Sequence, residues 1–322
     1  MTQMQALFID NAQLIMRQCT QPVPAADEVL IKVAYAGLNR ADIFQREGNY
    51  PAPNAQYNVA GLEVSGQIAA MGADAQGWAL GDEVCALLDG GGYAEYAIAK
   101  AAHCLPIPEN LSLEQAAALP ECVATIWMAL MDEAQVQPAE RVLIHGGASG
   151  IGTTGIQMLR AHGCEVFCTV GSADKAALCE QLGAKAILYK EQDFSAIVKA
   201  AGGADVILDM VGGDYIDRGL RCLNVGGRLV SIAFLKGADI ELNAARLLLK
   251  RQRWIGTTLR ARSDSQKADY IAHIRKTVWP WVELGALAPV IDSVFAFSDA
   301  THAQEKMQKY LHCGKILLKV GS

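Results

Sequence analysis

The chain is short of positive charge. Its 28 Lys and Arg residues stand against 34 Asp and Glu, a formal net charge of −6. A nucleic-acid surface works by clustering cations and releasing counterions, so this balance disfavours such a partner. The densest basic stretch, "KRQRW" at 250–254, reads as one solvated helix end. Long apolar runs are also missing. No segment approaches the roughly 18 uninterrupted apolar residues of a membrane span, and "MTQMQALFID" has neither the basic start nor the apolar block of a secretory signal. The expectation is a cytoplasmic protein with no membrane contact. Nine cysteines occur without a single C-x-x-C pair, and several stand in apolar runs such as "EVFCTV" (165–170). That pattern suits reduced, buried thiols better than a disulfide framework or a zinc cluster. Internal repeats and low-complexity linkers are absent too.

What remains is a chain of 322 residues, 52% hydrophobic and only 19% charged, long enough for two domains and apolar enough to bury both cores. The first third reads as β-rich. "DEVLIKVAYAGL" (27–38), "NVAGLEVSGQIAAMG" (58–72) and "GDEVCALL" (81–88) are alternating or β-branched and are punctuated by glycine and acidic turns, with no long helical pattern between them.

From residue 111 the texture changes. "LSLEQAAALPECVATIWMALMDEA" carries helical spacing and a plausible N-cap at Ser112. Short apolar strands then alternate with helices: "RVLIHG", a helix from Ser149 to about His162, "EVFCTV", a helix from Ala173 to Leu182, "AILY", "FSAIVKAA", "ADVILDMVG", "YIDRGLRCL" and "GRLVSIA". Strands this apolar, flanked by helices, imply a parallel sheet covered on both faces. The tail from about 262 offers an amphipathic stretch (267–285), a strand "PVIDSVFAF", a helix from 299 and a last strand "GKILLKV". It is expected to return and complete the first sheet. The expected organisation is an α/β fold: a discontinuous β-rich domain from 1–121 and 262–322, and a doubly wound Rossmann domain from 122–261.

"RVLIHGGASGIGTTGIQ" places glycines between a strand and a helix. Gly147 would allow the tight turn, the Ser149–Gly150 backbone would approach a pyrophosphate, Ile151 follows on the helix start, and Gly152 would let the helix pack closely. A helix N-terminus adds free N–H donors, so an anion is expected there. The loop reads G-x-S-x-x-G; Ser149 replaces a glycine and adds a hydroxyl. At the end of the next strand, "TVGSADK" has no carboxylate where an NAD site would set one against the ribose. Gly171, Ser172 and Lys175 stand there instead and suit a 2′-phosphate, which makes NADPH the expected cofactor. Asp174 weighs against this, and Lys175 also fits a solvated helix position. Tyr189 is a further contact candidate. His145, before the loop, reads as a packing residue.

Taken together, "AGLNRADIFQREGNYP" (36–51), "AGLEVSGQI", "GDEVCALLDGGGYAEYA", "HGGASGIGTTGIQ", "DVILDMVGG", "GGRLVSIA" and "GKILLKV" resemble the zeta-crystallin-like quinone oxidoreductases of the medium-chain dehydrogenase/reductase superfamily, with the tumour-suppressor-inducible group nearest. The likeness runs through nearly the whole chain. It implies a GroES-like catalytic domain completed by the tail, a Rossmann domain, a cleft where they join, usually a homodimer, and hydride transfer from NADPH to a quinone or another electron-poor acceptor. It also implies no metal. Zinc-dependent relatives carry a cysteine where this chain has Asn39 and Gly-His-Glu where it has Gly61-Leu62-Glu63, so two ligands of a catalytic zinc are replaced.

The resemblance places Asn39, Asp42 and Tyr50 near the acceptor, Tyr50 as a donor or a stacking ring, and it sets Thr125, Phe234, Gly314 and Lys315 beside the cofactor. Ser149 is a further candidate for the chemistry. Plainer roles compete: Asn39 and Asp42 suit the tying of a turn, Tyr50 a loop anchor, Thr125 a core helix position. Phe44 departs from a tyrosine that some relatives show. Two other functions fit the same residues: reduction of an alkenal or enone, and NADPH binding in a structural or regulatory role.

Overall fold

The computed structural model describes residues 2–50, 52 and 58–321; Pro51, which closes the "EGNYP" motif, lies outside them. The chain forms two compact units, one comprising Met1–Ala124, Arg260–Leu284 and Pro289–Ser322, the other Thr125–Leu259 and Gly285–Ala288. Gly285–Ala288 thus leaves the tail and joins the second unit. The cause is a clip: the Gln157 side-chain amide donates to the Ala288 carbonyl (2.9 Å) and accepts from the Ala288 N–H (2.9 Å).

The first unit is built on a seven-stranded sheet. Its centre is β3 (Glu28–Gly37), which pairs antiparallel with β4 (Glu63–Met71) and with β6 (Tyr96–Lys100). Next to β4 lie β5 (Glu83–Leu87) and β7 (Cys104–Pro106). On the other side the tail supplies β15 (Lys315–Lys319), antiparallel to β3, and β14 (Ile291–Ala296), parallel to β15. The helices of the tail are anchored by polar groups: Trp279 Nε1 donates to the Pro106 carbonyl (2.8 Å) and Asn110 Nδ2 to that of Val282 (2.9 Å).

Two features of this unit go beyond the sequence reading. A hairpin, β1 (Gln3–Asp10) and β2 (Gln13–Thr20), opens the chain. Its turn residues Asn11 and Ala12 both have positive φ (48° and 59°), the twist that two-residue hairpins prefer. A short helix, α1 (Arg40–Arg46), interrupts the β-rich third where no helix was expected.

The long helix expected from Ser112 is broken into pieces. Ser112 does cap α2 (Leu113–Ala116), its hydroxyl accepting the Gln115 N–H, but the helix stops before Pro120, which starts α3 (Pro120–Ile126). Proline has no N–H to donate and disfavours helical geometry in the residue before it, so it suits a first helical position and not an interior one. A π-helical segment, Trp127–Glu133, then follows α3, closed by Ala134 N–H to the Ala129 carbonyl (3.1 Å).

The second unit contains a six-stranded parallel sheet in the order β10-β9-β8-β11-β12-β13. The strands are β8 (Arg141–His145), β9 (Glu165–Val170), β10 (Lys185–Leu188), β11 (Ala204–Asp209), β12 (Leu223–Ser231) and β13 (Arg253–Gly256). In chain order that is 3-2-1-4-5-6, the doubly wound dinucleotide topology, with its switch point between β8 and β11. Val142, Leu143, Ile144 and Val206, Ile207, Leu208 are buried, as expected for strands covered on both faces. The stretch read as one helix end (250–254) divides: Lys250 ends α8 (Ala245–Lys250), whereas Arg253 and Trp254 belong to β13.

Candidate functional site

In the second unit, the strand-to-helix loop lies at the carboxyl end of β8, beside the switch point. Gly146, not Gly147, makes the tight turn, at φ +76°. Gly147 is small for another reason: a Cβ there would stand 2.6 Å from Cys168 Sγ. At Gly152 a Cβ would come within 2.4 Å of the carbonyl oxygens of Gly146 and Gly147, so the helix α4 (Gly150–Ala161) seats directly on the loop backbone.

Ser149 is the N-cap of α4. Its hydroxyl donates to the Gly146 carbonyl (2.8 Å) and accepts the Gly152 N–H (3.0 Å). The single hydroxyl proton is therefore committed inside the loop, which corrects the expectation of a donor for a ligand or for catalysis. The N–H groups of Gly150 and Ile151, in the first turn, have no carbonyl one turn earlier to bond. They are what the loop offers an anion.

Gly171 and Ser172 follow β9, with Ser172 the N-cap of α5 (Ala173–Gln181) and Lys175 in its first turn. The Ser172 hydroxyl makes no cap hydrogen bond and is exposed. Asp174, in the same turn, is also exposed. Tyr189 lies one residue past β10 rather than in it; its phenol oxygen would be 3.1 Å from a Cβ on Gly171. Tyrosine ring, serine hydroxyl and lysine thus share one corner of this unit.

Asp209, at the carboxyl end of β11, was missed from sequence. It accepts N–H bonds from Val211 (3.1 Å) and Gly212 (3.0 Å), and burial pushes its carboxyl up to about 6. The turn it ties carries Phe234, whose ring packs on Gly212, while Leu235 and Lys236 donate to the carbonyls of Met210 (3.2 Å) and Val211 (2.7 Å). Phe234 remains 41% exposed. Thr125 is buried on α3, one residue before Ile126 and the π-helical segment. His145 packs, as read: its Nδ1 meets Thr169 Oγ1 (3.1 Å), Phe194 and Tyr215 lie edge-on, and burial lowers its pKa to about 3, leaving the ring neutral.

In the first unit, Asn39 is the N-cap residue of α1, but its side chain turns away from the helix. Asn39 Nδ2 donates to Glu63 Oε1 (2.9 Å), and its Oδ1 accepts from Lys315 Nζ (2.8 Å). Lys315 Nζ also donates to the Leu38 carbonyl (2.8 Å) and to Glu63 Oε1. Both Glu63 and Lys315 are buried, and Glu63 Oε2 accepts the Glu121 N–H (2.9 Å). Gly37 makes room: a Cβ there would lie 2.3 Å from Glu63 Oε1. Lys315 therefore has no free charge for a cofactor, which corrects the charge half of its expected role and leaves the expected backbone approach untouched. Gly314 is held by backbone geometry, at φ +85° with a Cβ position 2.2 Å from the Val290 carbonyl oxygen.

Asp42 is fully buried and fully used. Its carboxylate accepts from Asn39 N–H (2.8 Å), Gly61 N–H (3.2 Å) and Tyr93 Oη (2.8 Å). That is scaffold work, so the turn-tying role holds for Asp42. Asn39, by contrast, is only half-buried. Tyr50 stacks on Arg260, whose guanidinium lies 4.9 Å from the ring centroid and donates to the Tyr50 carbonyl (3.1 Å). Arg260 also donates to Gln45 Oε1 (2.5 Å) and to the Asp89 carbonyl (2.9 Å). Nothing in the sequence around Arg260 signals this role, whereas Glu63, a lone carboxylate opening an apolar strand, could have been noticed.

The donor set has a chemical consequence. Asn39, Glu63 and Lys315 offer one carboxylate, already neutralised by an ammonium, which does not suit a zinc ion.

Residues 25–109 match the alcohol dehydrogenase GroES-like domain family and residues 150–274 the zinc-binding dehydrogenase family. A mouse (Mus musculus) quinone oxidoreductase is 33% identical over 291 residues, 88% of this chain and 86% of the relative. The structure of a Thermus thermophilus quinone oxidoreductase, solved also with NADPH, superposes with a TM-score of 0.84 at 28% identity, covering 98% of this chain and 100% of the other. That of CurK enoyl reductase gives 0.86 at 27% identity, over 99% of each chain.

Proposed function

The chain belongs to the quinone oxidoreductase family of the medium-chain dehydrogenase/reductases, and from that premise we propose that it uses NADPH to reduce a quinone or another electron-poor small molecule, without a metal. The observation that carries this reading is the corner after β9, where Ser172 and Lys175 stand in place of a ribose-binding carboxylate, in the same unit as the helix start whose first-turn N–H groups suit an anion. A pyrophosphate suits the N–H groups of Gly150 and Ile151, and a 2′-phosphate suits Ser172 and Lys175. Gly147 and Gly152 keep the loop flush, Gly171 and Tyr189 border the phosphate corner, and Thr125 and Phe234 are the nicotinamide contacts this unit offers; Gly314 is the backbone contact offered by the first unit.

The bound cofactor supplies a hydride from its reduced ring. The protein's part is to hold that ring and the acceptor at roughly 3 to 3.5 Å, exclude water, and present donors to the oxygen that gains charge. An electron-poor acceptor needs no Lewis acid for this. Asn39 is the donor, and Tyr50, backed by Arg260, is a flat surface for the acceptor ring.

The similarity to an enoyl reductase favours one alternative, reduction of an α,β-unsaturated carbonyl on the same scaffold. Following NADPH oxidation with 1,4-benzoquinone, a bulky ortho-quinone and a 2-alkenal separates the readings. Turnover of the quinones above the alkenal is expected. A strong alkenal preference moves the assignment to the alternative, and NADPH binding with no turnover moves it to a binding role.

The same proposal includes a homodimer acting in the cytoplasm. It is supported by an open sheet edge at β13 and by the apolar side chains of Leu248 and Leu249, which are 79% and 78% exposed. Among the described residues no helix is long and apolar enough to cross a membrane.

A further inference from the structure

We infer that Glu63 and Lys315 form a positioning pair that fixes the side-chain amide of Asn39 in one orientation, so that its nitrogen is always in place to present a hydrogen-bond donor to the bound molecule. The inference deepens the reading above, since it takes Asn39 to face the acceptor.

An asparagine amide can flip, exchanging its oxygen and nitrogen, and what it offers a ligand changes from donor to acceptor when it does. Here the flip is blocked by charge. The oxygen accepts from the Lys315 ammonium (2.8 Å), and the nitrogen donates to the Glu63 carboxylate (2.9 Å). Reversing the amide would set N–H against ammonium and carbonyl oxygen against carboxylate. The two partners cannot move aside to permit it. The three protons of Lys315 are used by the Leu38 carbonyl, Asn39 and Glu63, and the second oxygen of Glu63 holds the Glu121 N–H. The backbone of Asn39 is pinned separately, through its N–H to Asp42 (2.8 Å). One amide proton of Asn39 then remains uncommitted, on a side chain that is half-buried while Glu63 and Lys315 are buried.

A buried ion pair adds little net stability compared with apolar residues, yet removing one member strands a charge. Stability alone is thus a weak reason for this pair, and orientation of the amide is a specific one. The pair does not touch the acceptor; it acts through Asn39.

The test replaces both charges together, as Glu63→Gln/Lys315→Met, which leaves no stranded charge and puts opposite Asn39 a neutral amide able to satisfy either of its orientations. In a kinetic cycle with NADPH and tetramethyl-1,4-benzoquinone, Asn39→Ala is expected to lower kcat about 100-fold, the scale of a lost donor to a developing oxyanion, and the double variant, in which the amide is present but no longer fixed, about 10-fold. The triple variant should match Asn39→Ala within about twofold, because residues acting as one unit are not additive. KM for NADPH should hold in all three.

A second readout needs no turnover. In 15N-labelled free protein the Asn39 side-chain amide, assigned by its loss in Asn39→Ala, should show one proton protected from solvent exchange. With NADP+ present, its signals should shift when the quinone is added. Protection should fall in the double variant. Multiplying kinetic effects, or equal protection with and without the pair, would overturn the inference. If the native protein reduces no quinone, the functional reading fails, whereas the exchange result still decides whether the pair fixes the amide.

Discussion

Replacing Asp42 by Asn should change how the stability of this protein depends on pH, by an amount the structure sets. Burial outweighs the three hydrogen bonds the Asp42 carboxylate accepts and moves its pKa from 3.8 to about 6. A carboxyl raised in the folded state binds its proton more tightly there than in the unfolded chain. Its contribution to stability is therefore fully present below pH 3.8 and is lost as pH rises through about 6. At about 1.4 kcal/mol per pH unit, the native chain should lose about 2 to 3 kcal/mol relative to Asp42→Asn between pH 4 and pH 7. Asp209, raised to the same range, is present in both proteins and cancels in the difference. Urea unfolding of the two proteins in matched buffers across that range measures it. A difference that stays flat, or that grows in favour of the native chain at higher pH, would refute the claim that burial dominates at this site.

Lys175→Glu should weaken NADPH by about tenfold or more, since a like charge beside a phosphate costs on the order of 1 kcal/mol or more, while NADH is little affected. Calorimetric titration with both nucleotides checks it; equal losses would remove the 2′-phosphate assignment. Gly152→Ala should abolish measurable NADPH binding in the same titration, because its Cβ would stand 2.4 Å from two carbonyl oxygens of the loop and the N–H cradle would have to shift. Arg228→Ala should destabilise the second unit by about 2 to 3 kcal/mol in chemical unfolding, the cost of losing charged hydrogen bonds at a part-buried pair. Arg228 bonds both carboxylate oxygens of Glu140 (2.7 and 2.8 Å) and the Ala134 carbonyl (2.8 Å), so its loss strands them.

Some of this was legible before the structure. The parallel sheet was readable because strands buried on both faces are almost wholly apolar, and the glycine loop because close backbone approach leaves no room for side chains. The broken helix before Pro120 was within reach of the same rules. Other features left no local signal. The hairpin of β1 and β2 turns on Asn11 and Ala12, and alanine at positive φ is not a turn residue one would choose. The occupied side chains of Ser149 and Lys315 are not readable in the sequence, because a side chain's capacity for a ligand depends on what already occupies it. Ser149 is occupied by a neighbour three residues away, and Lys315 by partners more than 250 residues distant. Glu63 is visible in the sequence as a lone carboxylate opening an apolar strand, but its pairing with Lys315, from the far end of the chain, is not.

Quinones alkylate thiolates, so a catalyst that handles them is exposed to its own substrate. Seven of the nine cysteines are buried. Burial pushes the thiols of Cys104, Cys164 and Cys222 up to about 12, 11 and 11, where they stay protonated and poorly nucleophilic. Only Cys19 and Cys313 are half-open to solvent. The packing that fills these cores therefore also leaves the chain few places at which an electrophile can inactivate it.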